Sequence, residues 1–257
     1  MIIHSAPQGS EAWHAARAGV ITASMFSEVR KVVNGLTAQQ EKYVSALKAG
    51  LPVKAALEAA EYKAKPRASV IDRALAGERV GDYTEAAECY AFRLAVERIS
   101  GKPLDEGFET WAMKRGHEME PAARFEHELA IGVVVQPAGF VTTDDRLFGA
   151  SADGLIGEDG GAEYKCLVDP SRLHRVLLDG DISEFMDQVQ GGMWITGRSW
   201  WDFCLYCPAL ERIGLQLWHR RVERDDNYID AMEMDLIAFE RLVTENETAL
   251  RNFKEAA

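Results

Sequence analysis

Residues 148–168 constrain the fold of this chain more than any other stretch. They read Phe-Gly-Ala-Ser-Ala-Asp-Gly-Leu-Ile, then Gly-Glu-Asp-Gly-Gly, then Ala-Glu-Tyr-Lys-Cys-Leu-Val. The central five are turn formers and Asp159-Gly160 readily takes positive φ, so two short apolar-flanked strands are expected to fold back as a β-hairpin. Side chains two apart on a strand share a face, which puts Glu163 and Lys165 together and Tyr164 opposite. The hairpin also returns Asp153 to the neighbourhood of Glu163. Two carboxylates brought together repel unless one takes up a proton or a divalent cation, which favours oxygen ligands, lies between them. A lysine beside such a site can meet a phosphate or, with its pKa lowered by the metal charge, handle a proton. Asp, spacer, Glu-x-Lys thus suits phosphodiester hydrolysis, although Asp-Gly turns and Glu-x-Lys pairs also occur in solvent-facing hairpins of no catalytic interest.

At 257 residues the chain can bury a large core, and a single domain over 1–257 is expected: a helical part at about 10–130, a sheet core at about 131–222 and a closing helix at about 225–255. No apolar run approaches a bilayer-spanning length, so the expectation is a soluble, intracellular protein. Four cysteines embedded in apolar pattern suggest buried thiols rather than a disulfide framework, Cys204-Leu-Tyr-Cys207 included. The net charge of −12 argues against a protein that coats nucleic acid indiscriminately. Its distribution is uneven: residues 1–80 carry +4 and residues 81–257 carry −16, so a positive region can exist on an acidic body. Six histidines without a His-x-x-x-His spacing make a zinc site unexpected.

Along the chain, Ser10 caps a helix ending near Arg17 with Gly19 just beyond, and a second helix is expected at about 25–33 with Thr22 or Ser24 as its cap. A hydroxyl and an arginine near a helix start can complete an anion site; simple capping beside a surface arginine is the alternative. Residues 37–77 are helical in pattern, with the capping box Thr37-x-x-Gln40 and breaks near 50–52 and at Pro66. Their lysines and arginines form either a backbone-contacting face or a solvated one. Thr84 opens a helix to about Ile99. The next, at about 110–129, contains Pro121, which should kink or restart it and so set the position of Glu120. Strands are expected at 133–136, 139–142, 200–207 and 213–222, and helices at 170–178, 183–196 and 225–253.

Four segments together resemble the phage-lambda-type exonucleases, the YqaJ-like viral recombinases of the PD-(D/E)xK nuclease superfamily. They are Ala12-Trp13-His14-x-x-Arg17-x-Gly19-Val20-Ile21-Thr22-Ala23-Ser24, Gly116-x-x-x-Glu120, Ser151-Ala152-Asp153-Gly154 with Glu163-Tyr164-Lys165-Cys166, and Gln188-Val189-Gln190-x-x-Met193-Trp194. They occur in the family's order and span most of the chain. The resemblance implies an α/β fold, a central mixed β-sheet flanked by helices, with a PD-(D/E)xK nuclease core and an N-terminal helical decoration. It implies metal-binding carboxylates at Asp153 and Glu163, a helix carboxylate for a second metal at Glu120, a backbone oxygen ligand at Tyr164, the catalytic lysine at Lys165 and a supporting glutamine at Gln188. Arg17, Ser24 and Ser151 match the pocket for a terminal 5′-phosphate. Ala152 stands where the superfamily name leads one to expect proline, and the further acidic position before Asp153 falls at Asp144 or Thr143. Residues 37–80 match nothing that can be placed.

The implied activity is that of a deoxyribonuclease of the alkaline exonuclease type. It would use Mg²⁺ or Mn²⁺, as two ions, to degrade linear double-stranded DNA 5′ to 3′ and leave a 3′ strand for a single-strand annealing protein. A ring-shaped homotrimer, no membrane association and the cytoplasm of a bacterial host, as a phage or prophage product, go with it. Two other readings stand beside it. An endonuclease of the same superfamily would need no 5′-phosphate pocket, and a non-catalytic DNA-end or partner-binding module would have no use for Asp153, Glu163 and Lys165 together.

Overall fold

The computed structural model describes residues 1–104 and 111–253, without the side chain of Met113. Thr110, where the sequence starts a helix, and residues 254–255 at the end of the last one lie outside the described residues. In chain order the elements are β1 (Ile2–His4), α1 (Glu11–Arg17), β2 (Ile21–Thr22), α2 (Phe26–Arg30), α3 (Ala38–Lys48), α4 (Val53–Ala59), α5 (Ser69–Leu75), α6 (Glu85–Ser100) and α7 (Trp111–Ile131). Then come β3 (Phe140–Thr142), β4 (Phe148–Ser151), β5 (Gly154–Ile156), β6 (Gly160–Lys165), α8 (Pro170–Leu177), α9 (Met186–Thr196), β7 (Trp200–Tyr206), β8 (Leu217–Glu223) and α10 (Asp226–Phe253). They fall into two compact units, Met1–Ser27 with Tyr90–Ala257, and Glu28–Cys89.

The larger unit holds two four-stranded sheets where one central sheet is expected, ordered β1-β3-β4-β2 and β5-β6-β7-β8. Each is mixed, since β2 runs parallel to β4 and β6 parallel to β7 while the other pairings are antiparallel. The fold class is therefore as expected, α/β with mixed sheets flanked by helices. The run 148–156 belongs to both sheets: β4 ends at Ser151 in the first and β5 begins at Gly154 in the second. Alternation along β7 builds the second sheet's two sides. Trp201, Phe203 and Leu205 join Val189 and Met193 of α9 in one core cluster, while Cys204 joins Tyr164 and Ala123 of α7 in another.

The hairpin β5–β6 forms, but its turn is not the expected one. Gly157 takes the left-handed conformation, at φ +55°, and Gly160 does not. Gly160 and Gly161 serve close packing instead: a Cβ would lie 2.2 Å from the Trp200 ring at the first and 2.4 Å from the Trp201 ring at the second. Ser10 caps α1 by accepting from the Trp13 amide at 3.2 Å, and Thr84 caps α6 by accepting from the Ala87 amide at 3.0 Å. Gln190 of α9 is buried and joins β8 to α10, donating to the Glu223 carbonyl and accepting from the Asp225 amide.

Other expectations need correction. The second helix is a 3₁₀ turn at Ala23–Met25 followed by α2, which stops at Arg30, and neither Thr22 nor Ser24 caps it; their hydroxyls lie 3.2 Å apart and bond each other. Residues 133–136 form no strand beyond a single bridge of Gln136 to Leu155, because the Val135 amide is taken by Glu128 of α7 at 2.7 Å. The strand expected from 213 starts at Leu217, after a 3₁₀ turn (Pro208–Ile213) and a left-handed Gly214. α7 does not restart at Pro121 but runs on as one helix, losing one intrahelical hydrogen bond.

In the smaller unit, α3, α4 and α5 pack Tyr43, Val44, Ala56, Ala60, Ile71 and Ala74 into a cluster of their own. The capping box of α3 is present on both sides, Thr37 to the Gln40 amide at 3.3 Å and Gln40 to the Thr37 amide at 2.8 Å.

Candidate active site

The gap between the two sheets is where the carboxylates meet. Pairing of β5 with β6 begins at Gly154, and one residue earlier the Asp153 side chain takes the open place, its Oδ2 accepting the Tyr164 amide at 2.8 Å. In an extended strand the N–H and C=O of one residue project to the same edge, so the Tyr164 carbonyl faces the same side as Asp153. Glu163, buried at 4% exposure, accepts on a single oxygen from Lys165 Nζ at 2.7 Å and from Gln188 Nε2 at 2.6 Å. Lys165 Nζ closes the triangle by donating to Gln188 Oε1 at 2.9 Å. The expected shared face of Glu163 and Lys165 is thus present, with α9 supplying the third member.

Electrostatically the site is out of balance. Burial, then the neighbouring Glu120, pushes the Asp153 carboxyl up to about 6, and burial, then Asp153, pushes Glu163 up to about 7. Burial raises Glu120 as well, with Arg124 pulling the other way. Burial disfavours the Lys165 ammonium, yet Glu163 and Asp153 outweigh it and hold the amine above its ordinary value. The amine is therefore charged as the chain stands.

Glu120 comes from α7. Arg124, one turn on, donates through Nη2 both to Glu120 and to the Asp153 carbonyl, the latter at 3.1 Å. Glu120 and Arg124 line a cavity of about 380 Å³ that includes Asp153 and His117. A cavity of about 450 Å³ brings Asp153, Glu163 and Gln188 together with Arg17, Ser24 and Ser151. Lys165 and Tyr164 line neither.

Within the larger cavity, Arg17 Nη1 and the Trp13 indole both donate to Ser151 Oγ, at 3.4 and 3.2 Å, and the guanidinium lies 4.2 Å over the Trp13 ring. Among the described residues no carboxylate pairs with Arg17. Burial lowers its pKa while the nearby Tyr90 and Glu97 raise it, but an arginine retains its charge, so the pocket offers a cation beside hydroxyl donors. Asp144 and Thr143 stay outside both cavities: Asp144 is exposed and pairs with the Met1 amine at 2.6 Å, and Thr143 bonds Asp145 and the Phe148 backbone.

Behind the sheet, the Tyr164 hydroxyl lies 3.1 Å from His127 Nδ1, and His127 Nε2 lies 3.3 Å from Asp202. Both are fully buried, and Arg221 holds Asp202 with two bonds of 3.0 Å. Sequence reading misses this set, as it misses Arg124, Trp13 and His117. Arg124 had a signal in its i,i+4 spacing from Glu120 on one helix face; Trp13 had the same spacing to Arg17. His127, Asp202 and Arg221 are far apart in the chain and carry none.

The donors suit a hard divalent cation. Two buried carboxylates and a carbonyl on one edge are all oxygen, and the repulsion that drives Asp153 and Glu163 up is relieved by a positive ion between them. Among the described residues no three His, Cys, Asp or Glu side chains converge on one ion, so the fit is to a site completed by water and substrate oxygens. All four cysteines are free.

Among the described residues no helix is long and apolar enough to cross a membrane. No curated protein matches the chain. Among solved structures, an alkaline exonuclease from Laribacter hongkongensis, LHK-Exo, superimposes with a TM-score of 0.67 at 26% identity, covering 96% of this chain and all of the other. The same protein in complex with dAMP gives 0.66 at 27% identity, with 96% and 100% covered. A phage-related exonuclease from Haemophilus somnus 129PT shares the fold, with a TM-score of 0.52 at 14% identity, covering 87% of this chain and 99% of that one. The model of the YqaJ-like viral recombinase domain matches residues 12–199, which include Arg17, Glu120, Asp153, Glu163, Lys165 and Gln188, and the chain belongs to that family.

Proposed function

We propose that this protein is a divalent-metal-dependent deoxyribonuclease that degrades one strand of linear duplex DNA 5′ to 3′ from a 5′-phosphorylated end. The 3′ strand left behind would serve recombination by an annealing protein, and a homotrimer closed around DNA would reconcile the acidic body with a basic path. The observation that carries the reading is the joint lining of one cavity by Arg17, Ser24 and Ser151 and by Asp153, Glu163 and Gln188. An anion pocket and a carboxylate site sharing a cavity suit a substrate with a terminal phosphate at one end and a scissile phosphate at the other. The alkaline exonuclease likeness over nearly the whole chain supports it.

In this reading Asp153, Glu163 and the Tyr164 carbonyl hold Mg²⁺ or Mn²⁺, with Glu120 serving a second ion. Such ions, when bound, polarise the phosphate and lower the pKa of a coordinated water. Gln188 bonds both the Glu163 oxygen and the Lys165 amine and so holds the two together. Lys165, held charged by its neighbours, stabilises negative charge building on the scissile phosphate. Arg17 and Ser151 grip the terminal phosphate and set its distance from the carboxylates.

Linear and covalently closed duplexes incubated with Mg²⁺ or with EDTA test the class: cleavage of linear DNA alone, and only with metal, is expected. Cutting of closed circles would make it an endonuclease, and binding without cutting a non-catalytic module. Charged hydrogen bonds contribute roughly 1.5–3 kcal/mol each, so Arg17→Ala should slow 5′-phosphate ends by about one to two orders of magnitude. It should do much less on 5′-hydroxyl ends of the same sequence, and equal losses on both would remove the pocket from the mechanism.

A further inference from the structure

Arg124 has no part in the chemistry described above, yet it is the group through which α7 reaches the carboxylate site. One nitrogen, Nη2, donates to Glu120 on its own helix and to the Asp153 carbonyl in the link between β4 and β5. Both side chains are mostly buried, Arg124 at 20% and Glu120 at 18% exposure. Only one Glu120 oxygen is engaged among the described residues, and the cavity of about 380 Å³ lies before the carboxylate. Glu120 and Asp153 repel each other, so without a bridge the helix carboxylate gains by rotating away into solvent.

We propose that Arg124 is a positioning residue that ties Glu120 to the Asp153 turn and thereby builds the second cation site. The inference rests on the reading of Glu120 as a cation ligand. It makes a signed prediction. A guanidinium beside a cation site repels the incoming ion, so if Arg124 were merely a nearby positive charge its removal would tighten metal binding. If it holds Glu120 in place, removal weakens binding at the Glu120-dependent step and leaves the Asp153–Glu163 step alone. Loss of a partner that orients a ligand costs about 10–100-fold in metal affinity.

The test is titration of the full chain with Mn²⁺, without DNA, by calorimetry and by electron paramagnetic resonance. Wild type, Arg124→Gln, Glu120→Gln and the double variant are compared. Two binding steps are expected in the wild type, with the Glu120-dependent step weakened about tenfold or more in Arg124→Gln. The tighter step should be unchanged, which also shows that the variant is folded. The double variant should match Glu120→Gln, because a residue acting through Glu120 has nothing left to position once the carboxylate is gone. Tightened or unaltered binding in Arg124→Gln, while Glu120→Gln loses the step, overturns the inference alone. Two steps insensitive to both substitutions, or no Mn²⁺ binding in the wild type, overturn the reading of Glu120 and the inference with it. If Arg124→Gln does not fold, Arg124→Met carries the test, since it keeps the apolar stem but neither the charge nor a donor. A weakened second step then supports the tie and an unchanged one overturns it.

Discussion

On one side of β6, Glu163 and Lys165 meet Gln188; on the other, Tyr164 meets His127, Asp202 and, at the end of the line, Arg221. Both sets are polar and both lie under cover, but they are held in opposite ways. Behind the strand Arg221 bonds both oxygens of the Asp202 carboxylate and His127 Nε2 lies 3.3 Å from one. Burial pushes its pKa up, the bonds from His127 and Arg221 pull it down, and the net shift is downward. In front, Glu163 receives two donors on one oxygen, the other oxygen has no protein partner among the described residues, and a second carboxylate stands close by. A polar set whose task is to hold a fold ends with its charges matched. One whose task is chemistry stays unmatched until the reactants arrive.

The largest effect expected from breaking the front set is on turnover. Asp153→Ala or Glu163→Ala should abolish Mg²⁺-dependent degradation of linear duplex, and Lys165→Ala should remove about two to three orders of magnitude of rate. All three should remain folded by circular dichroism, and retained turnover in either carboxylate variant would end the comparison.

Breaking the rear set should instead destabilise the protein. Asp202→Ala removes the acceptor of two Arg221 hydrogen bonds and leaves His127 facing an apolar gap, and is expected to cost about 1–3 kcal/mol in denaturant unfolding, solvent screening the half-exposed Arg221. A loss below about 1 kcal/mol would place Asp202 among ordinary surface ion pairs.

The two sets also respond to pH with opposite sign. Glu163 titrates near 7 in the folded chain, above its unfolded value, so its contribution is favourable below pH 4.5 and is lost as pH rises through about 7. In EDTA, Glu163→Gln should therefore stabilise the protein by about 2–3 kcal/mol at pH 8 and by little at pH 4.5, an effect that saturating Mg²⁺ removes. Asp202 runs the other way: its folded pKa is depressed, so its contribution is present at neutral pH and is lost on acidification. A Glu163→Gln advantage that did not change with pH would contradict the imbalance.

The smallest effect sharpens the comparison most. Tyr164→Phe removes only the hydroxyl facing His127 and should cost about 1 kcal/mol of stability, while turnover, which uses the Tyr164 backbone, should hold.

Much of the front set is legible in sequence, because Glu163 and Lys165 are two apart on a strand and that spacing alone decides which side they share. Asp153 is legible through the turn that returns it. The rear set is not, since nothing local announces that His127 on a helix will meet Asp202 on a strand formed much later in the chain. The change of sheets is hidden for another reason: the hydrophobic pattern flanking Asp153 in residues 148–156 records burial but not which strand lies alongside. Val133 and Val134 mislead in the opposite direction, being β-branched yet partly or largely exposed in a loop. The turn dipeptide misleads because its glycine is wanted for room under Trp200 rather than for positive φ.

The passage of one run of chain from the first sheet to the second has a mechanical consequence. Asp153 lies in the short link between two ladders, each of which resists sliding within itself, so small shear between the sheets is taken up at the link first. The carboxylate would then lose register with Glu163 while every strand was still paired. On warming, such an enzyme should fall silent some degrees before its circular dichroism changes, and ions that bridge the joint should close that interval. The nuclease would behave as a fuse placed at the seam of its own scaffold.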